Sequence, residues 1–298
     1  PMMSHMMSHT DSIKTGTLVT NPAIRDISVT ASVFGSLNQI SDGRAEIGIG
    51  RGDSSLRVIG KKPVPYYDFE ELTELIRDLH NGETIQHPDT EEDTELVWSD
   101  HELMVWVAAY GPKMLEVAGK IGDGLILQIC DPFICEWLIG EMRAGAEKHG
   151  RDPDDIEIMS CGPVWISDDI EECRNHVRWF PAMVGNHVAD LVDKYHDGEL
   201  PQDLTDYIEG REGYDYKEHA QADADHLDFI PDEIIDRFSI VGTPEDHIEK
   251  LKKLEDLGVD QFNIYLMCAE EESQIHDYGK HIMPEFIDGK EYADPGVE

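Results

Sequence analysis

The sequence predicts an α/β fold built on a parallel sheet with helices packed outside it. Short segments at residues 45–49, 103–109 and 124–129 have the near-continuous apolar character of strands that are buried on both faces. Segments with helical periodicity separate them, so strand and helix alternate along the chain. This alternation is typical of a parallel sheet, because a parallel connection needs a crossover element, which is usually a helix.

Counting the main strands gives six, at residues 13–20, 45–49, 103–109, 124–129, 156–166 and 259–267. Eight strands would close a barrel. The chain opens on a helical pattern at residues 1–9 with no strand before it. If the two missing strands lay upstream, the deficit and the abrupt start would have one cause.

The segments between these strands predict the helices. Residues 26–40 carry Val29, Val33, Leu37 and Ile40 on one helical face, which predicts a crossover helix. Further helices are expected at residues 132–149, at residues 168–195, and after Thr243, which can cap a helix that starts at Pro244. The polar residues 81–102 predict a surface loop or a hairpin.

Two segments fall outside the regular pattern. Residues 197–230 are acidic, aromatic and irregular, which predicts a lid or a disordered loop inside a barrel domain that spans residues 1–284. Residues 285–298 form a polar tail.

The charge is strongly negative. Lys and Arg number 24 against 63 Asp and Glu, a formal net charge of −39, and the acidic residues lie along the whole chain. Such a surface repels itself unless salt screens it, and at about 1 M salt the Debye length is only about 3 Å. We therefore expect a cytoplasmic protein of a halophile. Nucleic-acid binding is not expected, because no basic stripe is available for phosphates.

The cysteines and histidines do not predict a metal site. The five cysteines, which are Cys130, Cys135, Cys161, Cys173 and Cys268, lack the spacing of a zinc site and are expected to be reduced core residues. The repeated MMSH at the N-terminus matches the His-Glu-x-x-His motif poorly. No apolar run approaches the ~20 residues that cross a bilayer, and no signal-peptide pattern is present, so a soluble protein without a membrane partner is expected.

Two loops that follow expected strands are candidate ligand sites. After residues 45–49, Gly50 and Gly52 alternate with Arg51 and Asp53, so the backbone can approach a flat ligand beside a cation and a carboxylate. Taken alone, a glycine-rich turn after a strand is more often ordinary turn chemistry than a ligand site. After residues 103–109, the run YGPK (residues 110–113) enters a helix, whose positive end and Lys113 suit a phosphate, although it could also be a simple helix start.

Four motifs occur in register: GTLVTNP (residues 16–22), the segment 43–53, VAAYGPK (residues 107–113) and DG (residues 123–124). Together they resemble the luciferase-like flavin and deazaflavin oxidoreductases, and most closely the coenzyme F420-dependent group. The resemblance covers nearly the whole chain to about residue 267. It implies a TIM (β/α)8 barrel that lacks the first strand, helix and second strand with which family members normally start. It also implies hydride transfer between F420 and a small organic substrate, with methylene-tetrahydromethanopterin reductase as one possible activity.

The resemblance also implies roles for individual residues. A non-prolyl cis peptide at Leu18–Val19 would form a bulge behind the cofactor ring, and Asp53 would be the catalytic proton donor, although a solvated loop aspartate is an equal alternative. The other cofactor-binding residues would be Asn21, Gly50, Gly52, Gly111, Pro112 and Lys113. The substrate-side candidates are Arg51, Arg57, His176, Trp179, Arg211 and Tyr214.

The remaining implications concern partners and rival functions. Family members are commonly dimers, so a homodimer is expected. An FMN-dependent monooxygenase on the same fold is one rival. A non-catalytic barrel remnant is the other, because six strands would leave two open barrel edges.

Overall fold

Strands and helices alternate along the chain in a computed structural model, which describes residues 1–181, 184, 192, 194, 195, 202, 205, 206, 230–267 and 270–287. The chain divides into two compact units. Unit 1 comprises residues 1–126 and 140–157, and unit 2 comprises residues 127–139 and 158–298. The expected insert at residues 197–230 and most of the tail lie outside the described residues.

Unit 1 contains a parallel sheet in the order β1, β2, β5, β6, with a small antiparallel hairpin of β3 and β4. The strands are β1 Thr15–Gly16, β2 Ala45–Ile49, β3 Ile85–Gln86, β4 Asp93–Thr94, β5 Val105–Ala108 and β6 Gly124–Leu127. The helices are α1 Met2–Ser8, α2 Ile27–Ser41, α3 Asp53–Val58, α4 Tyr66–His80, α5 Pro112–Ile121 and α6 Pro132–Lys148, whose first eight residues belong to unit 2. The hairpin that the polar segment allowed is confirmed.

Unit 2 contains β7 Glu157–Ile166 paired in parallel with both β8 Ile240–Gly242 and β9 Gln261–Tyr265. Its helices are α7 Ile170–Val177, α8 Asp232–Phe238, α9 Pro244–Asp256 and α10 Glu271–Asp277. Thr243 caps α9 as predicted: its hydroxyl accepts from the Asp246 backbone N–H, and the Asp246 carboxylate accepts from the Thr243 backbone N–H. Of the predicted helix at residues 168–195, only α7 is described as a continuous element.

The six expected strands are all present, but the first is much shorter than predicted. β1 ends at Gly16, where the regular strand pairing with β2 stops. The next β-bridge to β2 is formed by Thr20, which pairs with Ile49. The four cysteines that the structure describes are buried and free, as expected, and burial raises the pKa of Cys130 to about 11. Within the described ranges, each helix is too short or too polar to span a bilayer.

The buried face of α2 differs from the prediction. Of the four residues assigned to one apolar face, only Leu37 is buried, and Val29, Val33 and Ile40 are each about half exposed. The helix instead buries Ile27, Ala31, Phe34 and Leu37 together with polar Asn38. Because α2 is apolar on both faces, its periodicity alone could not show which one packs on the sheet.

Helices α1 and α2 carry no Asp, Glu, Lys or Arg, although charged residues make up 29% of the chain. Their exposed apolar side chains therefore favour burial against a partner; these are Met2, Met6, Val29, Val33 and Ile40.

The homodimer remains a prediction. We expect sedimentation of the purified chain to report a dimer that Val33→Glu weakens at least tenfold and that the control Val58→Glu, on α3, does not. A monomeric wild type would contradict it.

Candidate functional site

The carboxyl ends of β2 and β5 lie side by side at one end of the unit 1 sheet. We call this end, where the parallel strands terminate, the sheet edge. The two strands are parallel, and Ile49 is paired with Val107. The loop that carries Gly50 to Asp53 leaves β2 at this edge, and the loop that carries Gly111 to Lys113 leaves β5 at the same edge. The two candidate loops that follow separate strands are therefore neighbours in space, as the parallel arrangement predicts.

Residues 17–20 run along the other side of β2 and form a bulge. The Leu18–Val19 peptide bond is cis, as the resemblance implied. On either side of it the chain is held to β2: the Thr17 hydroxyl donates to the Gly48 carbonyl over 2.8 Å, and the Gly50 N–H donates to the Thr20 carbonyl over 2.9 Å. The Leu18 and Val19 side chains are 43% and 42% exposed. The bulge thus presents two aliphatic side chains at the sheet edge.

Two glycines of β2 and its loop allow this close approach. A Cβ on Gly48 would lie 1.9 Å from the Thr17 carbonyl oxygen, and one on Gly50 would lie 3.1 Å from Val19 Cγ2. Gly48 was not among the predicted site residues, although a glycine inside a strand pattern is a known sign of close backbone approach. The bulge and the strand tip form one continuous surface.

Asn21 is buried, with 3% of its surface exposed. Its amide oxygen accepts from the Ala23 backbone N–H over 3.1 Å, and its amide nitrogen donates to the Ser55 hydroxyl over 3.0 Å. These bonds join the bulge to α3. Because the amide nitrogen has a second hydrogen, a bond to a ligand is compatible with this arrangement. The predicted contact of Asn21 with the ring edge stays a prediction.

Gly52 and Asp53 open helix α3. Gly52 has a φ of 79° and is the residue before the first helical turn, a conformation that glycine adopts without strain. Asp53 is half exposed, and its carboxylate accepts from Arg57 one turn later over 3.1 Å. This carboxylate therefore lies at the sheet edge in water, already paired with a cation. Its predicted catalytic role stays a prediction.

The other predicted arginine of this loop is held by the protein. The Arg51 side chain donates to the Val64 carbonyl, and the Val64 N–H donates to the Arg51 carbonyl over 3.0 Å. Residues 51–64 are thus closed into a loop beside the sheet edge.

Lys113 lies in the first turn of α5, where Gly111 is the residue before the helix and Pro112 is the first helical residue. Its ammonium group is 4.9 Å from the centre of the Tyr66 ring at the start of α4. The first turn of α5 contains no acidic residue. The positive end of a ten-residue helix and a lysine therefore act together, which is the arrangement that favours an anion.

The two described substrate-side candidates in unit 2 each pack against other aromatic rings. The His176 ring stacks on Trp165 with 3.4 Å between centroids, and Trp179 is only 5% exposed. Trp179 packs edge-on against Tyr265, whose hydroxyl accepts from the Gln128 amide over 2.6 Å. Burial raises the pKa of Tyr265 to about 12, so it is a neutral phenol. A substrate role for His176 and Trp179 is untested, and Trp179 has little surface left to offer.

Gln128 and Tyr265 were not among the candidate site residues selected from the sequence. Gln128 follows the last residue of β6, and Tyr265 is the last residue of β9. A polar residue directly after an apolar strand is a signal that could have selected Gln128. The predicted substrate residues Arg211 and Tyr214 lie outside the described residues.

Residues 1–261 match the family model described as luciferase-like monooxygenase. The chain belongs to the luciferase-like monooxygenase family. One relative in this family is the 5,10-methylenetetrahydromethanopterin reductase of Methanolobus tindarius, which is 30% identical over 264 residues, covering 85% of this chain and 77% of the relative. Another is the F420-dependent glucose-6-phosphate dehydrogenase of Nakamurella multipartita, which is 23% identical and covers 95% of this chain and 80% of the relative.

The luciferase-like fold is also supported by a solved structure. The coenzyme F420-dependent tetrahydromethanopterin reductase of Methanopyrus kandleri superposes with a TM-score of 0.75 at 23% identity, covering 96% of this chain and 86% of that chain. The predicted fold class is therefore confirmed. At this level of identity the superposition reports on the fold and leaves the chemistry to the site itself.

Proposed function

We propose that this chain is a coenzyme F420-dependent oxidoreductase that transfers a hydride between the deazaflavin and a small organic substrate. The observation that carries the proposal is the edge of the unit 1 sheet, where the aliphatic pair Leu18 and Val19 follows β1 and the cationic start of α5 follows β5, the two strands on either side of β2. The names of the relatives from Methanopyrus kandleri and Nakamurella multipartita support F420 as the cofactor.

The residues at this edge fit the two chemically different parts of such a cofactor. A flat ring needs an apolar surface, which the half-exposed Leu18 and Val19 side chains provide next to Gly50, where a side chain is absent. A phosphate needs a cation that no carboxylate neutralises, and within the described residues Lys113 provides it. It also needs backbone N–H groups at the positive end of a helix dipole, which the start of α5 provides. When bound, the deazaflavin supplies the carbon that gives or receives the hydride.

The chain itself would orient the ring and supply a proton. Gly111 and Pro112 set the start of α5 so that Lys113 can hold the phosphate, and Gly52 directs Asp53 into the first turn of α3. We assign Asp53 the role of proton donor, because it is the carboxylate of the β2 loop and its carboxylate is accessible. Arg57, which donates to it, would keep Asp53 in one orientation between turnovers.

We take a methylene-tetrahydropterin as the substrate to test first. The reductases that act on methylenetetrahydromethanopterin include the Methanolobus tindarius relative and one from Archaeoglobus fulgidus, which is 29% identical over 292 residues. A pterin carries a planar ring, so it requires aromatic or aliphatic surfaces next to the cofactor.

Titration of the purified chain with F420 and with FMN tests the proposed cofactor. The titration should be run in molar KCl, because the net charge of −39 requires screening. We expect quenching of deazaflavin fluorescence with saturable binding of F420, and at least tenfold weaker binding of FMN. Preferential binding of FMN, with oxygen-dependent turnover, would establish the rival monooxygenase. Binding of neither cofactor would support the non-catalytic reading.

An Asp53→Asn variant tests the catalytic assignment in the same assay. We expect F420 affinity to stay within twofold and the rate of hydride transfer to fall about 100-fold, because proton transfer by a positioned acid contributes at least that factor. The matched control is Asp11→Asn, at an exposed carboxylate before β1. A normal rate in Asp53→Asn would remove Asp53 from the mechanism and leave the cofactor assignment intact.

A further inference from the structure

Residues 54–67 form an exposed segment without acidic residues, in a chain where Asp and Glu number 63 of 298. The twelve residues 51–62 contain four cations, Arg51, Arg57, Lys61 and Lys62, and one acid, Asp53. Their formal charge is therefore +3, although the chain as a whole carries −39. Arg57, Lys61 and Lys62 are all exposed.

The lysines of the described residues differ in whether a carboxylate pairs with them. Lys14, Lys120, Lys148, Lys252 and Lys253 each form an ion pair with a glutamate. In the part of the chain that the structure describes, no carboxylate lies within ion-pair distance of Lys61, Lys62 or Lys113. With carboxylates in such excess, three unpaired ammonium groups are available for an anionic ligand.

Lys61 and Lys62 lie a few residues before Tyr66, the residue that Lys113 contacts at the expected phosphate site. Lys113 lies over the Tyr66 ring, and Tyr66 follows Lys62 by four residues. Four residues span at most about 14 Å, so the Lys62 backbone lies within that distance of Tyr66. The segment is held at the sheet edge by the two hydrogen bonds between Arg51 and Val64.

We propose that Lys61 and Lys62 bind carboxylates on the tail of the cofactor, beyond the phosphate held at Lys113. This inference rests on the proposed function, because coenzyme F420 extends past its phosphate into an oligoglutamyl chain. A free polyanion would be repelled by a protein of charge −39. Carboxylates tethered to a bound ring and phosphate are delivered to the lysines at high effective concentration. Lys61 and Lys62 would therefore select cofactor molecules by the charge of their tails.

The experiment compares three ligands by fluorescence titration: F420 with several glutamyl residues, F420 with a single one, and the deazaflavin that lacks phosphate and tail. The proteins are the wild type, Lys61→Gln/Lys62→Gln, and the control Lys252→Gln/Lys253→Gln on α9, which removes the same charge in unit 2. At the lowest salt concentration at which circular dichroism shows the proteins folded, we expect the wild type to bind the long-tailed form about tenfold more tightly than the single-glutamate form, as two exposed ion pairs would provide when salt screens them little. The Lys61→Gln/Lys62→Gln variant should lose this preference, and the control should keep it.

Raising the salt concentration provides a second readout, over the range in which circular dichroism shows the proteins folded. We expect the preference of the wild type for the long tail to decrease as salt rises, while the affinity of the double variant changes less. Equal binding of the long and short forms by the wild type, or an equal loss in the control, would overturn the inference while leaving F420 as the cofactor. Failure to bind any of the three ligands would overturn the proposed function, and the inference with it.

Discussion

A Gly48→Ala variant is expected to lose about 4 kcal/mol of its free energy of unfolding, which places it among the most damaging single substitutions. The added methyl group would lie 1.9 Å from the Thr17 carbonyl oxygen, far inside van der Waals contact, and 3.1 Å from the Ile126 side chain. Both obstacles belong to packed elements, so the methyl group can be accommodated only if the bulge separates from β2.

Separation of the bulge would break the hydrogen bonds that hold it to β2. These are the bonds from the Thr17 hydroxyl and the Thr20 N–H to the Gly48 carbonyl, and from the Gly50 N–H to the Thr20 carbonyl. It would also move Leu18 and Val19 away from the sheet edge. We therefore expect a variant that still folds to bind F420 at least 100-fold more weakly than the wild type.

Chemical denaturation and F420 titration measure the two effects of Gly48→Ala. The matched control is Gly140→Ala in α6, where a Cβ meets nothing within 4 Å. Alanine at that exposed helical position should stabilise the protein by about 0.5–1 kcal/mol and leave cofactor binding unchanged. Wild-type stability of Gly48→Ala would show that the bulge is not pressed against β2 in solution.

Lowering the pH from 6.5 to 4 is expected to cost the protein about 3 kcal/mol of stability through His247 alone. Burial lowers the pKa of this residue from 6.5 to about 4. The imidazole is completely buried on α9, between the Trp165 carbonyl at 3.2 Å and the Tyr278 hydroxyl at 2.9 Å. Because the carbonyl can only accept, Nε2 carries the hydrogen and Nδ1 accepts from the tyrosine.

The sign of the pH effect follows from proton counting. Between pH 6.5 and pH 4 the unfolded imidazole binds a proton and the folded one does not, so unfolding becomes more favourable as the pH falls. Below pH 4 both states are protonated, and this contribution stops changing. Burial also lowers the pKa of His80, so this histidine too makes the folded protein less stable as the pH falls. Asp26 and Asp246 have pKa values below the ordinary 3.8, so their contributions are lost only at still lower pH.

Urea denaturation at several pH values tests this prediction. His247→Gln keeps a donor for the Trp165 carbonyl and an acceptor for the Tyr278 hydroxyl but does not titrate. We expect this variant to be less stable than the wild type at pH 8 and to lose about 3 kcal/mol less between pH 6.5 and pH 4. The control is His281→Gln, at an exposed histidine near the C-terminus, which should keep the wild-type pH dependence. If the stability of His247→Gln depended on pH as steeply as that of the wild type, His247 would be excluded as the source of the pH dependence.

Local sequence signals were sufficient for much of the fold. The strand at residues 45–49 was predicted with its observed bounds, and the Thr243–Pro244 helix start was predicted together with its capping residue. Both signals lie within a few residues of the chain. The strand is marked by a short apolar run, and the helix start by the hydrogen bond between the capping residue and the first turn. The convergence of the β2 and β5 loops was also predictable, because parallel strands direct their carboxyl ends to one edge.

Other features depended on contacts between residues distant in sequence. The buried face of α2 was assigned wrongly because the helix is apolar on both sides and only its contacts with other helices decide which side is covered. Asn21 was selected as a cofactor-binding residue, and the sequence did not show that it also donates a hydrogen bond to Ser55, 34 residues later. Trp179 was selected as a substrate-side candidate, but it is packed against Tyr265.

By itself, the sequence determined the alternation of strands and helices, the family, the acidic character of the chain and the loops in which a cofactor site should be sought. These properties are carried by short motifs and by composition. Only the tertiary structure decided that Thr17 presses on Gly48, that His247 is buried between Trp165 and Tyr278, and that Lys61, Lys62 and Lys113 have no carboxylate partner in the described residues. The physical reason is that steric exclusion, desolvation and charge pairing depend on distances in space, which the order of residues along the chain does not specify.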